Sequence, residues 1–373
     1  MSKINDLIKE QCPNGVRFYQ IKDIAKVTIG EFVHKNKQTE DGQYPVYNGG
    51  TLNTGYYDEY NNDGHKVIIS ARGANAGFIN RVKGKYWAGN SCYTININDE
   101  TLVDWNYLYQ YLKNNQKVLL GVQQTGSIPA ISKKQVEDFK IAIPPLEVQE
   151  EIVRILDKFG ELEAELEAEL EARKSQYEFW HGQIINENFK LMRIKDICDT
   201  AVGGDVPKDN FSKEMTEQYN IPIYSNSIDL EGLYGYTDIA KINKPCVTLS
   251  GRGAGVGHAF LRKNSFFPII RLVCLIPKEE FVTAEYLFYA IQLVKFKIPT
   301  TGIPQLTVPM VSEYEIPVPP LEEQNRIVNI LSKFDKLIND ISEGLPAEIE
   351  LRRQQYEYYR NKLLSFEELS VSE

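Results

Sequence analysis

Two short runs carry the side chains best suited to recognising a phosphate or a base: Ser70-Ala71-Arg72-Gly73 and Ser250-Gly251-Arg252-Gly253. Each follows a strand-like run and leads into more glycine, Arg72 and Gly73 continuing to Asn75. Glycine lets backbone approach a ligand closely, and a guanidinium beside it suits a phosphate or a guanine edge. The competing reading is a tight turn whose arginine pairs with an internal carboxylate; the motif alone leaves both open. Nearby polar-aromatic segments, "YPVYNGG" with Tyr47 and Asn48 and "IPIYSNS" with Tyr224, offer amide and hydroxyl groups that suit base edges, although such tyrosines are as readily core residues. Thr125 and Thr301 sit in Thr-Gly loops expected just ahead of the last strand of each half.

Signatures of catalysis are missing. "GRGAGVGH" does not fit G-x-G-x-x-G: the frame from Gly251 puts Val256 at the last position, and the frame from Gly253 puts His258 there. No G-x-x-x-x-G-K-[ST] occurs. The paired prolines at 144–145 and 319–320 follow Ile143 and Val318, so they lack the polar residue of an adenine methyltransferase motif. His34, His65, His181 and His258 are scattered without metal-ligand spacing and read as surface or capping residues. Cys12, Cys92, Cys198, Cys246 and Cys274 read as reduced, mostly buried thiols of a cytoplasmic protein, neither a disulfide frame nor a zinc site. No apolar run approaches membrane-span length, and the first ten residues hold no signal-peptide core.

The elements that must position the two loops are written twice. "IPPLEVQEEIVRILDKF" (143–159) reappears as "VPPLEEQNRIVNILSKF" (318–334), "ISARGANAG" (69–77) as "LSGRGAGVG" (249–257), and "RKSQYEFW" (173–180) as "RRQQYEYY" (352–359), all in the same order. Each half is therefore a mixed α/β module followed by a long helix. The helices begin after Pro-Pro with acidic residues suited to a helix N-terminus. Ile327, Leu331, Phe334, Ile338, Ile341 and Leu345 recur at 4-3 spacing as a coiled-coil seam, with a kink or restart expected at Gly344-Leu345-Pro346. The first helix offers Ile152, Leu156, Phe159, Leu162, Leu166 and Leu170, the last three within a threefold ELEA run (161–172). Its glutamates repel one another at i,i+4, and the acidic face has no lysine within it and no evident basic partner, so the helix is either held by packing of Leu162, Leu166 and Leu170 on a partner or kept for its length.

The net charge of −9 is unevenly spread. Residues 147–178 carry a net −7, residues 1–146 a net +3, and residues 189–320 balance. The modules are thus neutral to mildly basic, which permits DNA binding.

The tandem modules, each ending in PPLE.Q and then an R+.QYE exit, resemble the specificity (S) subunits of Type I restriction-modification systems over nearly the whole chain. That resemblance implies an α/β (mixed) fold with two target recognition domains in tandem repeat, 1–145 and 189–319. Between and after them would lie spacer helices, 146–188 and 320–373, forming an antiparallel coiled coil with pseudo-two-fold symmetry. It also implies a non-catalytic subunit without cofactor, which reads one half of a bipartite double-stranded DNA site with each domain. The partners would be two methyltransferase (M) subunits docking on the helices and two restriction (R) subunits. Of the family's loops only Arg72, Gly73, Arg252 and Gly253 match, and Tyr177, Trp180, Tyr356 and Tyr359 stand as partner contacts or as residues closing the helix pair. A Type II system with a fused nuclease-methyltransferase, a coiled-coil scaffold with two non-DNA modules, and an enzyme acting alone remain alternatives.

Overall fold

The computed structural model describes residues 2–121, 129–253, 255–298 and 304–369. The chain divides into two compact units, Met1–Leu166 with Ile349–Glu373, and Glu167–Glu348.

The first unit builds three small sheets. Strands β1 (Arg17–Gln20) and β9 (Lys140–Ile143) pair antiparallel. Strands β2 (Ala25–Ile29), β5 (Lys66–Ser70), β6 (Ile79–Val82) and β8 (Cys92–Ile97) form a sheet in the order β2-β8-β5-β6, and β3 (Tyr44–Tyr47), β4 (Tyr56–Tyr57) and β7 (Trp87–Ala88) form one in the order β4-β3-β7. The runs Val67–Ile69 and Cys92–Ile95 consist mostly of β-branched and apolar residues and are buried throughout, as strands covered on both faces must be. A helix, Trp105–Asn114, starts where the Asp104 side chain accepts the Tyr107 N–H at 2.8 Å.

The second unit repeats this plan strand for strand: β10 (Leu191–Arg193), β11 (Cys198–Val202), β12 (Ile221–Tyr224), β13 (Leu233–Thr237), β14 (Cys246–Leu249), β15 (Ala259–Arg262), β16 (Phe267–Pro268), β17 (Val273–Pro277) and β18 (Glu315–Pro317). The sheet orders are β10-β18, β11-β17-β14-β15 and β13-β12-β16. Its helix Ala284–Gln292 starts at a matching cap, Thr283 accepting from the Tyr286 N–H at 3.2 Å.

The Pro-Pro entries owe their shape to a glutamine in each. Gln149, fully buried, donates to the carbonyls of Leu102 (2.9 Å) and Pro144 (2.8 Å) and accepts from the Asp104 N–H (2.9 Å). Gln324, also fully buried, does the same with Phe281 (2.8 Å), Pro319 (2.9 Å) and the Thr283 N–H (2.9 Å). Each side chain thus ties the helix start to the loop before the module's own helix. Beyond Gln149 the chain runs as one helix of 40 residues, Leu146–Ile185.

In the first unit the early part of this helix lies antiparallel to the distal helix Leu345–Leu363. Phe159 meets Tyr356 and Tyr359, and Glu163, one turn on, pairs with Arg353 at 2.6 Å. The ELEA run therefore does have a basic partner across the helix pair, contrary to the sequence reading. At its ends Lys158 pairs with Glu161, Arg173 with Glu169, and Lys174 with Glu171. Leu162, Leu166 and Leu170 are half-buried. In the second unit the later part meets the helix Leu321–Asn339 through Tyr177 and Phe334.

The distal arm breaks between Asn339 and Leu345. Asp340 accepts from the Ser342 and Glu343 backbone and the Ser342 hydroxyl, and a Cβ at Gly344 would lie 2.6 Å from the Asp340 carbonyl. The restart with Pro346 in the first turn is the one expected. Of the expected seam, Ile327, Leu331 and Ile338 are buried, but Ile341 falls in the break and is 86% exposed. His181 also departs from expectation. It is buried, with Nε2 2.8 Å from the Tyr289 carbonyl and its ring against Tyr177 and Tyr289. All five cysteines are buried and free. Among the described residues no helix is long and apolar enough to cross a membrane.

Candidate nucleic-acid interface

Each Arg-Gly loop is built by the same backbone pattern. In the first unit β5 ends at Ser70, whose hydroxyl donates to the Gly50 carbonyl (2.9 Å) and whose own carbonyl accepts from Gly77 (2.7 Å). Arg72 bridges to Ala130, and the Gly73 N–H donates to the Pro129 carbonyl at 2.9 Å. Gly73 has φ +90°, and nothing lies within 4 Å of where its Cβ would be. That is open, left-handed backbone of the kind glycine supplies. Arg72 and Asn75 are exposed, and Arg72 has no carboxylate partner among the described residues. Burial raises the pKa of the neighbouring Tyr93 hydroxyl, and the Arg72 charge partly opposes that.

The second unit repeats the loop. The Ser250 hydroxyl donates to the Asn226 carbonyl (3.0 Å), Arg252 bridges to Gln305, and Gly253 has φ +97°. Arg252 is likewise exposed and without a carboxylate partner among the described residues. The reading of these arginines as internally paired turn residues thus finds no carboxylate to rest on.

The other sequence candidates divide. Asn48 spends its Oδ1 on the Ser91 N–H (2.9 Å), holding β3 against the start of β8. Tyr47 is half-buried, edge-on to Tyr86 at 5.8 Å, and burial raises its pKa. Tyr224 is half-buried between Phe266 and the Arg262 guanidinium, which sits 3.6 Å above its ring. Thr125 and Thr301 lie outside the described residues. Of the aromatic residues on the helices, Tyr177, Tyr356 and Tyr359 pack inside their own units, Tyr356 also donating to Gln110 Oε1 at 3.2 Å. Trp180 differs: it is 45% exposed, edge-on to Phe179, itself 59% exposed. Tyr358 is 61% exposed.

Two arginines were not singled out by sequence. Arg262 is buried, with Nε donating to the Thr248 hydroxyl (3.2 Å) and Nη1 paired to Glu231 (3.3 Å), so it fastens β14 and the Glu231 turn beneath Tyr224. Val82 holds the matching strand position in the first unit, so no repeated motif marks it. Arg271 is exposed and lines the same cleft as Arg252.

The Type I restriction modification DNA specificity domain family matches residues 13–172 and again 186–351. A putative type I specificity subunit of Mycoplasma pneumoniae is 33% identical over 94% of this chain and 98% of its own length. A putative type I restriction enzyme specificity subunit of Haemophilus influenzae is 32% identical over 89% of this chain and 90% of its own. The crystal structure of a Type I restriction-modification S subunit from M. genitalium shares the fold, with a TM-score of 0.62 at 16% identity over 94% of this chain and 96% of that one. These relatives are type I proteins, which does not favour the Type II alternative. With the family matched twice, once over each repeat, the chain belongs to the Type I restriction-modification DNA specificity subunits.

Proposed function

We propose that this chain addresses a Type I methyltransferase and restriction complex to a bipartite DNA site, with each module reading one half. The modules are assigned to 1–145 and 189–319, and the helical spacers to 146–188 and 320–373. The observation that carries this reading is the recurrence of one exposed Arg-Gly loop, at the same place in the same sheet, in both modules of a chain of this family. Exposed guanidiniums without a carboxylate partner among the described residues, on modules of neutral to slightly positive net charge, suit the DNA backbone and its base edges.

The helices supply the rest of the assignment. Two M subunits dock on them, with the exposed Phe179-Trp180 pair and Tyr358 as contact residues, while Tyr177, Tyr356 and Tyr359 hold the helices in their units. Large aromatic side chains left in water on a helix are the type enriched where partners bury surface. Two R subunits complete the assembly. The chain contributes no bond-making step: the methyltransferase supplies the S-adenosylmethionine site and turns out the target adenine. The test is a module exchange. Replacing 189–319 by the corresponding segment of a relative should change one half of the methylated motif and leave the other half and the gap as they were. A motif altered in both halves, or in neither, refutes the assignment.

A further inference from the structure

Beside their common loop the two modules differ in a charged residue. In the first unit Tyr93 pairs with Ile69, and in the second Val273 pairs with Leu249, the equivalent of Ile69 in the repeat. Two residues before these partners stand Ser91 and Arg271, so the second module carries an arginine where the first carries serine. Arg271 and Arg252 line one cleft of about 190 Å³ with Gln305 and Thr307, its wall otherwise apolar at Val202, Val273, Leu306 and Val308. Neither guanidinium has a carboxylate partner among the described residues, although two cations facing one hollow repel each other.

The backbone there is also unusual. Ile270 and Arg271 have φ +53° and +58°, the left-handed region that L-residues other than glycine, asparagine and aspartate rarely adopt. They are held in it because their N–H groups donate to the carbonyls of Gly204 (2.8 Å) and Gly203 (3.0 Å) at the end of β11. The matching residues of the first unit, Asn90 and Ser91, show no such conformation. Ile270 is 49% exposed, so no apolar burial compensates the conformation. Backbone strain that brings an exposed cation to an open cleft is a pattern of binding sites.

We propose that the Arg252–Arg271 cleft is a subsite for one strongly hydrogen-bond-accepting group of DNA, a phosphate or the O6/N7 edge of a guanine, and that it makes the second module's recognition differ in kind from the first's. The inference rests on the DNA-addressing function proposed above. A single arginine fork satisfies either acceptor, and a second guanidinium lining the same cleft adds charge and donors to hold it. Gln305 and Thr307, which also line the cleft, carry neutral polar side chains suited to the same group.

The experiment uses the full complex of this chain with its methyltransferase, and measures affinity for a library of DNA duplexes at several salt concentrations. Arg271→Asn removes the guanidinium and places at 271 a residue that tolerates the left-handed region, so the variant is expected to fold with a melting temperature no lower than the parent's. Its affinity should fall by about tenfold or more. For a guanine edge, the loss is confined to duplexes with one base identity in the second half-site, and Arg271→Lys fails to restore it. For a phosphate, the loss is the same for all sequences, the slope of log affinity against log salt falls by about 0.9, and Arg271→Lys restores most of it. Binding and selectivity unchanged in Arg271→Asn, with the parent complex selective, overturn the subsite alone. A parent complex with no sequence selectivity overturns the DNA-addressing function itself.

Discussion

The buried glutamine of each Pro-Pro-Leu-Glu-x-Gln entry gives the account a sharp energetic prediction. Gln149→Met keeps the volume and the apolar stem but removes three hydrogen bonds at once. The Asp104 N–H and the carbonyls of Leu102 and Pro144 then face the thioether of a side chain that is itself fully buried. Each orphaned buried group costs ~1 kcal/mol or more, so the variant should lose about 3 kcal/mol. For a unit of this size that is a fall of ~6–12 °C in the melting of the first unit. Gln183 stands exposed on the same helix, and Gln183→Met should change stability by less than about 0.5 kcal/mol. Gln324→Met should reproduce the loss in the second unit, where the same three bonds are made. Chemical denaturation of the three variants, followed by circular dichroism, decides the matter. If Gln149→Met is no less stable than Gln183→Met, the helix starts are not held in this way.

Removing Glu165–Ala168 shortens the central helix by ~6 Å and rotates its downstream part by ~40°; methylation mapping should show a gap shortened by about two base pairs with both half-sites kept, and an unchanged gap would exclude the helix as a spacer. Gly30→Ala should prevent the first unit from folding or cost it more than about 3 kcal/mol, because its Cβ would lie 2.0 Å from the Ala88 carbonyl oxygen, whereas Gly73→Ala meets open space and should cost only ~1–2 kcal/mol by denaturation. The Glu151 carboxyl, gripped by Arg154 and then by Lys3, is held down to about 2 from its ordinary value of 4.5. A depressed acid stabilises the folded state above the unfolded pKa, so this contribution is present above pH 4.5 and lost as pH falls toward 2. Glu151→Gln should flatten that part of the stability profile, and an unaltered acid limb would refute the assignment. His181 titrates lower than usual because burial disfavours its cation, outweighing the Tyr289 carbonyl. Stability should therefore also decline as pH drops through 6.5 toward its folded value, a decline absent in His181→Gln.

Much of this architecture was legible because it is repeated. The ELEA run, the Pro-Pro entries and the Arg-Gly loops each appear as local patterns whose period or spacing fixes a helix, a helix start or a strand end. What the sequence hid depends on distant partners. Ile341 continued the apolar period on paper, but Asp340 and Gly344 close a turn there, and the residue is left in water. Arg353 lies 190 residues from Glu163, so the charge relief on the ELEA face was invisible until the distal helix was placed. Closure of the first unit by the end of the chain, where Val16 bridges to Glu368 and Leu369 donates to the Val16 carbonyl at 2.8 Å, is equally non-local. The glutamines were visible as repeated letters, but their purpose needed a loop some 45 residues away. Arg271 was not marked by the repeat because its counterpart there is Ser91.

The central claim, that this chain supplies the address for DNA methylation, is tested most directly by mapping methylated adenines across the genome of a host expressing the methyltransferase partner with and without this chain. A split motif with two fixed half-sites, present only when the chain is present, is the predicted result. An assembled complex that yields no new motif, or one that the methyltransferase produces unaided, would contradict it.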